Sequence, residues 1–159
     1  MRFMLAIHDL GKGKLANNSD TSLQYFNNKN IINLLIRETQ GANVFDDLKL
    51  KTINFFITHD TLGSYFQEKL TLIATKKAIL NYAEETSIDS KYYFYLLMVY
   101  YQCDIAAYTA DGGGIKFLEH LFEYENGEKV FDEKEGLLKM SPKYWEMYKQ
   151  LKNDIENGY

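Results

Sequence analysis

The amino-acid sequence predicts an all-α protein, a compact helical bundle, and three observations support this prediction. The chain has 159 residues, of which 46% are hydrophobic, which is enough for one domain with a substantial core. A single proline leaves long helices uninterrupted. Apolar residues recur at helical spacing in several segments, with no internal repeat or low-complexity tract. We therefore expect residues 1–159 to form one helical domain.

The N-terminal half is expected to contain helices separated by polar, turn-prone segments. Helix ends are indicated by capping residues and by glycine just after the last apolar residue of a repeat. In chain order the predictions are a buried helix end at 1–8, a loop at 13–29, a helix at 30–39 ended by Gly41, a helix capped by Asp46 or Asp47 that leads to His59, and a long helical stretch from Gly63 to about Glu85.

The C-terminal half contains the most hydrophobic segment, 92–108, which we expect to be a central helix capped by Asp89 or Ser90. Its length and its lack of turn residues favour a helix over a strand. The remaining predictions are a glycine hinge at 111–114, a short helix at 115–124, an acidic solvated loop at 125–135, and a final amphipathic helix that begins at Ser141-Pro142.

The chemistry of the chain is indicated by a motif at its start. An apolar segment, residues 3–7, leads directly into His8 and Asp9, and Gly11 and Lys12 follow. An imidazole and a carboxylate side by side at a helix end can both bind one divalent metal ion. Glycine allows the backbone to turn away and leave such a site open. The lysine can then contact a phosphate oxygen as a point charge.

These residues resemble the His-Asp signature of the HD superfamily of metal-dependent phosphohydrolases, an all-helical family. His8 and Asp9 match its central pair, and Lys12 is at the place of a frequent following lysine. His59, in the sequence His-Asp-Thr-Leu-Gly-Ser, resembles an added motif of the two-metal branch. Asp104 resembles the closing aspartate of the family. The resemblance therefore implies His8, Asp9, His59 and Asp104 as metal ligands.

The resemblance further implies a phosphohydrolase or phosphodiesterase that acts on a nucleotide or another phosphoester. A divalent ion (Mn, Mg, Fe, Zn or Ni) held by His8, Asp9 and Asp104 would lower the pKa of bound water. Asp9 would bridge to a second ion that His59 holds in part. Lys12 would neutralise charge on the phosphoryl group, which gives Asp9 and Lys12 catalytic roles.

The sequence also departs from the family, because only seven residues precede His8 and the opening histidine of the family has no counterpart. One interpretation is that the chain is a fragment of a longer protein. Another is a degenerate, catalytically inactive domain that acts as a binding or regulatory module. A third hypothesis is a helical interaction protein with no site. For single residues, His59 could instead cap a helix end, and Asp104 could belong to a buried hydrogen-bond network.

Composition narrows the partners and the compartment. A net charge of −4 argues against a broad nucleic-acid-binding surface, and it does not exclude the phosphorylated small molecule that the resemblance implies as a partner. The single cysteine, Cys103, excludes an internal disulfide framework and agrees with a cytoplasmic location. We expect Cys103 to be a buried packing residue. The longest apolar run, 92–101, is too short and too rich in tyrosine to span a membrane.

Overall fold

The computed structural model describes residues 30–31, 33–35, 37–38, 47–106 and 120–158, apart from the side chains of Leu50, Ile57 and Thr58. The chain divides into two compact units. The first contains Met1–Asp60 with Glu85–Ser87, and the second contains Thr61–Glu84 with Ile88–Tyr159. Each unit is described below by itself.

The described part of the chain is mostly helical, in agreement with the coarse prediction of a helical protein, but it also contains short strands. The helices are α1 (Asp47–Thr58), α2 (Thr61–Phe66), α3 (Leu72–Glu85), α4 (Ser90–Ala106) and α5 (Pro142–Asn157). The strands are β1 (Tyr124–Glu125), β2 (Glu128–Lys129), β3 (Phe131–Asp132) and β4 (Leu137–Leu138). The described positions between 30 and 38 are helical as well, as predicted. No helix in these residues is long and apolar enough to cross a membrane.

Helix α1 is the principal described element of the first unit. Its first residue, Asp47, places a negative charge in the first turn, where the helix dipole favours it. Ile53 and Phe56 lie three positions apart on one face, and both are buried. The Lys51 ammonium forms an ion pair with Glu85 at 3.1 Å. The predicted helix leading to His59 is therefore confirmed.

Helix α4 is the centre of the second unit, and it contacts α2, α5 and β4. The Asp89 side chain caps it by accepting a hydrogen bond from the Tyr92 N–H at 3.0 Å, as predicted. Its buried residues occupy most of its circumference: Tyr93, Phe94, Leu97, Met98, Tyr100, Tyr101, Gln102 and Ile105. The prediction of a central helix is thus confirmed.

One face of α4 is exposed to solvent, and Cys103 lies on this face. Tyr92, Tyr95 and Cys103 are exposed, and Val99 between them is only partly buried. Their spacings of three and four residues place them on one face of the helix. The prediction that Cys103 is buried was therefore wrong, because Cys103 lies on the side of α4 that the described neighbouring elements leave open.

Helix α5 begins where the sequence predicted, at Ser141-Pro142. Proline at the first helical position lacks an N–H that would otherwise be unsatisfied there. The Ser141 hydroxyl makes no capping bond within the helix and donates instead to the His120 carbonyl at 2.7 Å. The helix is amphipathic, and its buried face contains Trp145, Tyr148, Leu151 and Ile155.

Residues 121–140 form two antiparallel hairpins. The predictions of a short helix at 115–124 and of a solvated loop at 125–135 were therefore wrong for the part that the structure describes. In the first hairpin, Tyr124 pairs with Lys129 and Glu125 with Glu128. The connecting residues Asn126 and Gly127 have φ values of 53° and 84°. A two-residue turn with positive φ at both positions matches the right-handed twist of its strands, and Asn-Gly is its preferred sequence.

The second hairpin joins β3 to β4 through a longer, four-residue turn that is held by hydrogen bonds. Asp132 accepts from the Glu135 N–H at 3.0 Å through its side chain and from the Gly136 N–H at 2.8 Å through its carbonyl. Gly136 has φ 68°, a conformation that glycine adopts without strain. Val130 lies between the two hairpins and extends both, because its N–H donates to the Glu123 carbonyl at 3.0 Å and its carbonyl accepts from the Lys139 N–H at 2.8 Å. The Glu123 N–H donates to the Lys139 carbonyl at 2.9 Å and connects the two hairpins.

The helical stretch predicted from Gly63 to Glu85 is interrupted. After α2, Glu68 has φ 59°, and the N–H groups of Lys69 and Leu70 both donate to the Ser64 carbonyl. The Thr71 hydroxyl then accepts a hydrogen bond from the Ala74 N–H at 3.2 Å and caps α3. The uninterrupted stretch was therefore a wrong prediction, because a left-handed residue and a new cap separate two helices.

Candidate functional site

The predicted metal site is only partly within the described residues. His8, Asp9 and Lys12 lie outside them, so the opening motif stays a prediction. His59 belongs to the first unit and Asp104 to the second. Within the described ranges, no group of three or more His, Cys, Asp or Glu side chains could hold a metal ion.

His59 follows directly after α1 and is half-buried. Its N–H continues the helical pattern by donating to the Phe55 carbonyl at 3.2 Å. Its ring packs edge-to-face on Phe55, with the ring centroids 5.7 Å apart. These contacts place His59 at the C-terminal end of α1. Asp104 is half-buried on α4, between exposed Cys103 and buried Ile105, at the edge of the buried face.

A cleft that the sequence did not predict lies within the second unit. It has a volume of about 150 Å³ and lies between α4, α5 and the turn of the second hairpin. Its lining combines apolar, aromatic and charged side chains: Lys91, Phe94, Tyr95, Met98, Lys134, Glu135, Leu137, Tyr148, Lys152 and Glu156. We call it the α4–α5 cleft.

A polar network forms one wall of the α4–α5 cleft. Oε2 of Glu135 accepts a hydrogen bond from the Tyr148 hydroxyl at 2.7 Å and another from the Lys152 ammonium. The hydrogen bond from Lys152 lowers the pKa of Glu135, and the bond from Tyr148 acts in the same direction. Burial, followed by the hydrogen bond to Glu135, raises the pKa of Tyr148. At neutral pH Glu135 is therefore a carboxylate and Tyr148 a neutral phenol.

Aromatic packing fixes the same wall in place. The Tyr148 ring is stacked between Phe94, at a centroid distance of 5.9 Å, and Trp145, at 5.0 Å. On the side of the hairpin, a Cβ added to Gly136 would approach the Tyr95 hydroxyl to 3.3 Å. The hairpin turn and α4 are thus in close contact at the cleft.

Two lysines supply positive charge that is not neutralised by the described residues. Lys91 and Lys134 are exposed, and neither forms an ion pair or hydrogen bond within the described ranges. Lys152, by contrast, is paired with Glu135 and lies 4.0 Å from Glu156. The exposed ammonium groups of Lys91 and Lys134 can therefore attract an anion to the rim of the cleft.

Comparisons with protein-family models, with curated proteins and with solved structures found no match to this chain.

Glu135 is expected to make stability depend on pH. A carboxylate whose pKa is lowered by folding stabilises the native state above its unfolded pKa, and this contribution is lost as the pH falls through the folded pKa. Glu135→Gln should therefore reduce the free energy of unfolding by about 1–2 kcal/mol at neutral pH, and the difference from the wild type should shrink on acidification.

Urea titrations at several pH values, followed by the fluorescence of Trp145, measure this effect, since Trp145 is the single tryptophan and lies beside the network. Glu146→Gln is the matched control, because the exposed Glu146 pairs with the exposed Lys149 and lies outside the network. A Glu135→Gln difference that is constant from neutral to acidic pH would contradict the assignment of the stabilisation to the ionised carboxylate.

Proposed function

We propose that the chain is a divalent-metal-dependent phosphohydrolase that acts on a nucleotide or another phosphoester. The observation that carries this proposal is the motif His8-Asp9-Leu10-Gly11-Lys12, which resembles the HD signature. The mostly helical structure is compatible with it. The proposed ligands are imidazole and carboxylate groups, a donor set that suits first-row divalent metals.

In this proposal each residue has a distinct task. His8, Asp9 and Asp104 would hold the ion, and His59 would contribute to a second one. When bound, the metal would supply an activated water at neutral pH. Lys12 would bind a phosphoryl oxygen and compensate its charge, because an ammonium acts there as a point charge.

Removal of Asp9 provides the test of the proposal. We expect the wild-type protein to take up Mn²⁺ and to hydrolyse an activated phosphodiester when metal is in excess, because the bound metal activates the attacking water. Asp9→Ala should abolish metal uptake and leave the helical circular dichroism signal largely intact. Lys12→Ala should lower turnover without releasing metal. Metal analysis after dialysis, together with the hydrolysis rate, measures these effects.

Glu146→Ala is a suitable control, because it removes an exposed carboxylate of α5 that is not part of the motif. Chelation should abolish the activity of the wild type and of the control alike. Stoichiometric metal retained by Asp9→Ala, or turnover that a chelator leaves unchanged, would contradict the metal mechanism.

A second candidate function is a binding or regulatory module without catalysis. The exposed lysines Lys91 and Lys134 at the rim of the α4–α5 cleft favour it, since cations suit the binding of an anion and the described contacts of the cleft reveal no activated nucleophile. Metal analysis distinguishes the two candidates, because a binding module without catalysis should show neither bound metal nor turnover.

A further inference from the structure

The turn of the first hairpin, Asn126-Gly127, is open to solvent. Both residues are exposed. A Cβ added to Gly127 would meet no heavy atom within 4 Å apart from its chain neighbours, so the space around this peptide bond is free. The side-chain amide of Asn126 forms no hydrogen bond in the part of the chain that the structure describes. No described contact therefore restrains the rotation of this amide.

The strands that hold this turn are short and easily separated. β1 and β2 contain two residues each, and Glu125 lies directly opposite Glu128. Two carboxylates in opposed positions repel each other and destabilise the pairing. A two-stranded hairpin has little stability of its own, so we expect the turn to open locally while the rest of the unit stays folded.

An exposed asparagine followed by glycine is able to deamidate without an enzyme. When the turn opens, the backbone nitrogen of Gly127 gives its proton to a base in the solvent and attacks Cγ of Asn126. The C–N bond of the side-chain amide breaks, ammonia leaves, and a succinimide ring forms. Water then hydrolyses the ring: cleavage at Cγ gives aspartate, and cleavage at the backbone carbonyl gives isoaspartate. Glycine favours the attack, because it has no side chain that shields its nitrogen.

We propose that Asn126 is the preferred site of spontaneous deamidation among the described residues, with isoaspartate and aspartate as its products. A second Asn-Gly pair, Asn157-Gly158, ends α5. There the side-chain nitrogen of Asn157 donates to Oδ1 of Asn153 at 2.6 Å. This hydrogen bond and the helical backbone restrain the Asn157 amide, whereas no described contact restrains that of Asn126. The two pairs are equivalent in sequence, and their surroundings distinguish them.

The two products affect the hairpin differently. Asp-Gly is itself a preferred sequence for this turn, so aspartate preserves the turn and adds a carboxylate next to Glu125. Isoaspartate adds one carbon atom to the backbone between the strands, so the turn no longer matches the pairing of Tyr124 with Lys129. We therefore expect isoaspartate to separate β1 from β2. The site is independent of the proposed phosphohydrolase centre, because it uses none of the residues assigned to metal or phosphate binding.

The test is incubation of the full-length protein at physiological temperature in a mildly alkaline buffer, followed by proteolysis and mass spectrometry. The mass gain on conversion of an amide to a carboxylate reports the reaction at each asparagine. The same incubation in guanidinium chloride gives the rate without the fold. In the folded protein Asn126 should react within about tenfold of its denatured rate, because opening of the turn costs little free energy. Asn157 should be slowed by more than about tenfold, because its amide is restrained.

Substitution of the glycine tests the chemical route. Gly127→Ala should slow the reaction at Asn126 about tenfold, because the added methyl group hinders the attack by the backbone nitrogen. Alanine also strains a position with φ 84°, which favours opening of the turn and would by itself raise the rate. A slower reaction therefore reports the steric effect alone. Asn153 is the matched control, since Asp154 follows it on the exposed side of α5, and it should remain unmodified over the same period.

Three outcomes would overturn the proposal. The first is faster deamidation of Asn157 than of Asn126 in the folded protein, which would remove the preference. The second is a folded-state rate at Asn126 more than about tenfold below the denatured rate, which would show that the turn stays closed. The third is an undiminished rate in Gly127→Ala, which would exclude attack by the Gly127 nitrogen.

Discussion

Phe66→Ala is expected to lower the free energy of unfolding of the second unit by about 3–5 kcal/mol, the range for large-to-small substitutions of buried aromatic residues. Phe66 ends α2 and is 1% exposed. Its ring is stacked on Tyr101 of α4 at 5.3 Å and meets Tyr144 of α5 edge-to-face at 6.3 Å. A helix of six residues has little stability of its own, so this ring attaches α2 to its neighbours.

Urea denaturation followed by Trp145 fluorescence measures the loss. Two further variants test whether the loss of stability comes from the cavity at Phe66 or from the substitution of any phenylalanine. Phe66→Leu retains part of the volume and should cost about 1–2 kcal/mol. Phe131→Ala removes a ring that is 57% exposed on β3, and should cost less than about 1 kcal/mol. A Phe66→Ala variant as stable as Phe131→Ala would show that α2 is not held by this packing.

Long helices in which apolar residues recur at helical spacing were predictable from the sequence. The starts of α4, at Asp89-Ser90, and of α5, at Ser141-Pro142, were located correctly, because a helix start depends on a few neighbouring residues. The central position of α4 also followed, since a helix that is apolar nearly all round must be covered on most sides.

The hairpins were missed because the acidic composition of residues 125–135 was given more weight than their turn chemistry. The Asn126-Gly127 pair is the strongest short-range hairpin signal, and it was present in the sequence. The break at Glu68 was harder to predict, because a left-handed glutamate has no compositional signature. In that segment Thr71, a good N-cap residue, was the available signal.

The two candidate sites differ in how far sequence could indicate them. The His8-Asp9 motif consists of consecutive residues, so a resemblance to a family can indicate it from the sequence alone. The α4–α5 cleft is formed by Lys91, Lys134 and Lys152, which belong to different elements of the chain. The cleft could be predicted only together with the second hairpin, and the predicted fold did not contain that hairpin.

Gln102 shows how a single polar residue in an apolar helix can define tertiary structure. Its side chain is only 4% exposed. Its amide nitrogen donates to the Leu138 carbonyl at 2.7 Å, and its amide oxygen accepts from the Leu138 N–H at 2.8 Å. The amide therefore acts as a neighbouring strand would, and it pairs α4 with β4.

Gln102→Leu is expected to lower the free energy of unfolding by about 2–3 kcal/mol, because two partly buried backbone groups lose their partners at about 1–1.5 kcal/mol each. Leucine has a similar volume, so a cavity is not the cause. Gln150→Leu, at an exposed position of α5, is the control and should change stability by less than about 0.5 kcal/mol. In hydrogen exchange the Leu138 amide should lose protection in Gln102→Leu, while the β1–β2 pairing through Tyr124 and Lys129 should retain its own. Unchanged protection of Leu138 would mean that β4 is held by its strand partner alone, and that the Gln102 amide contributes nothing to its position.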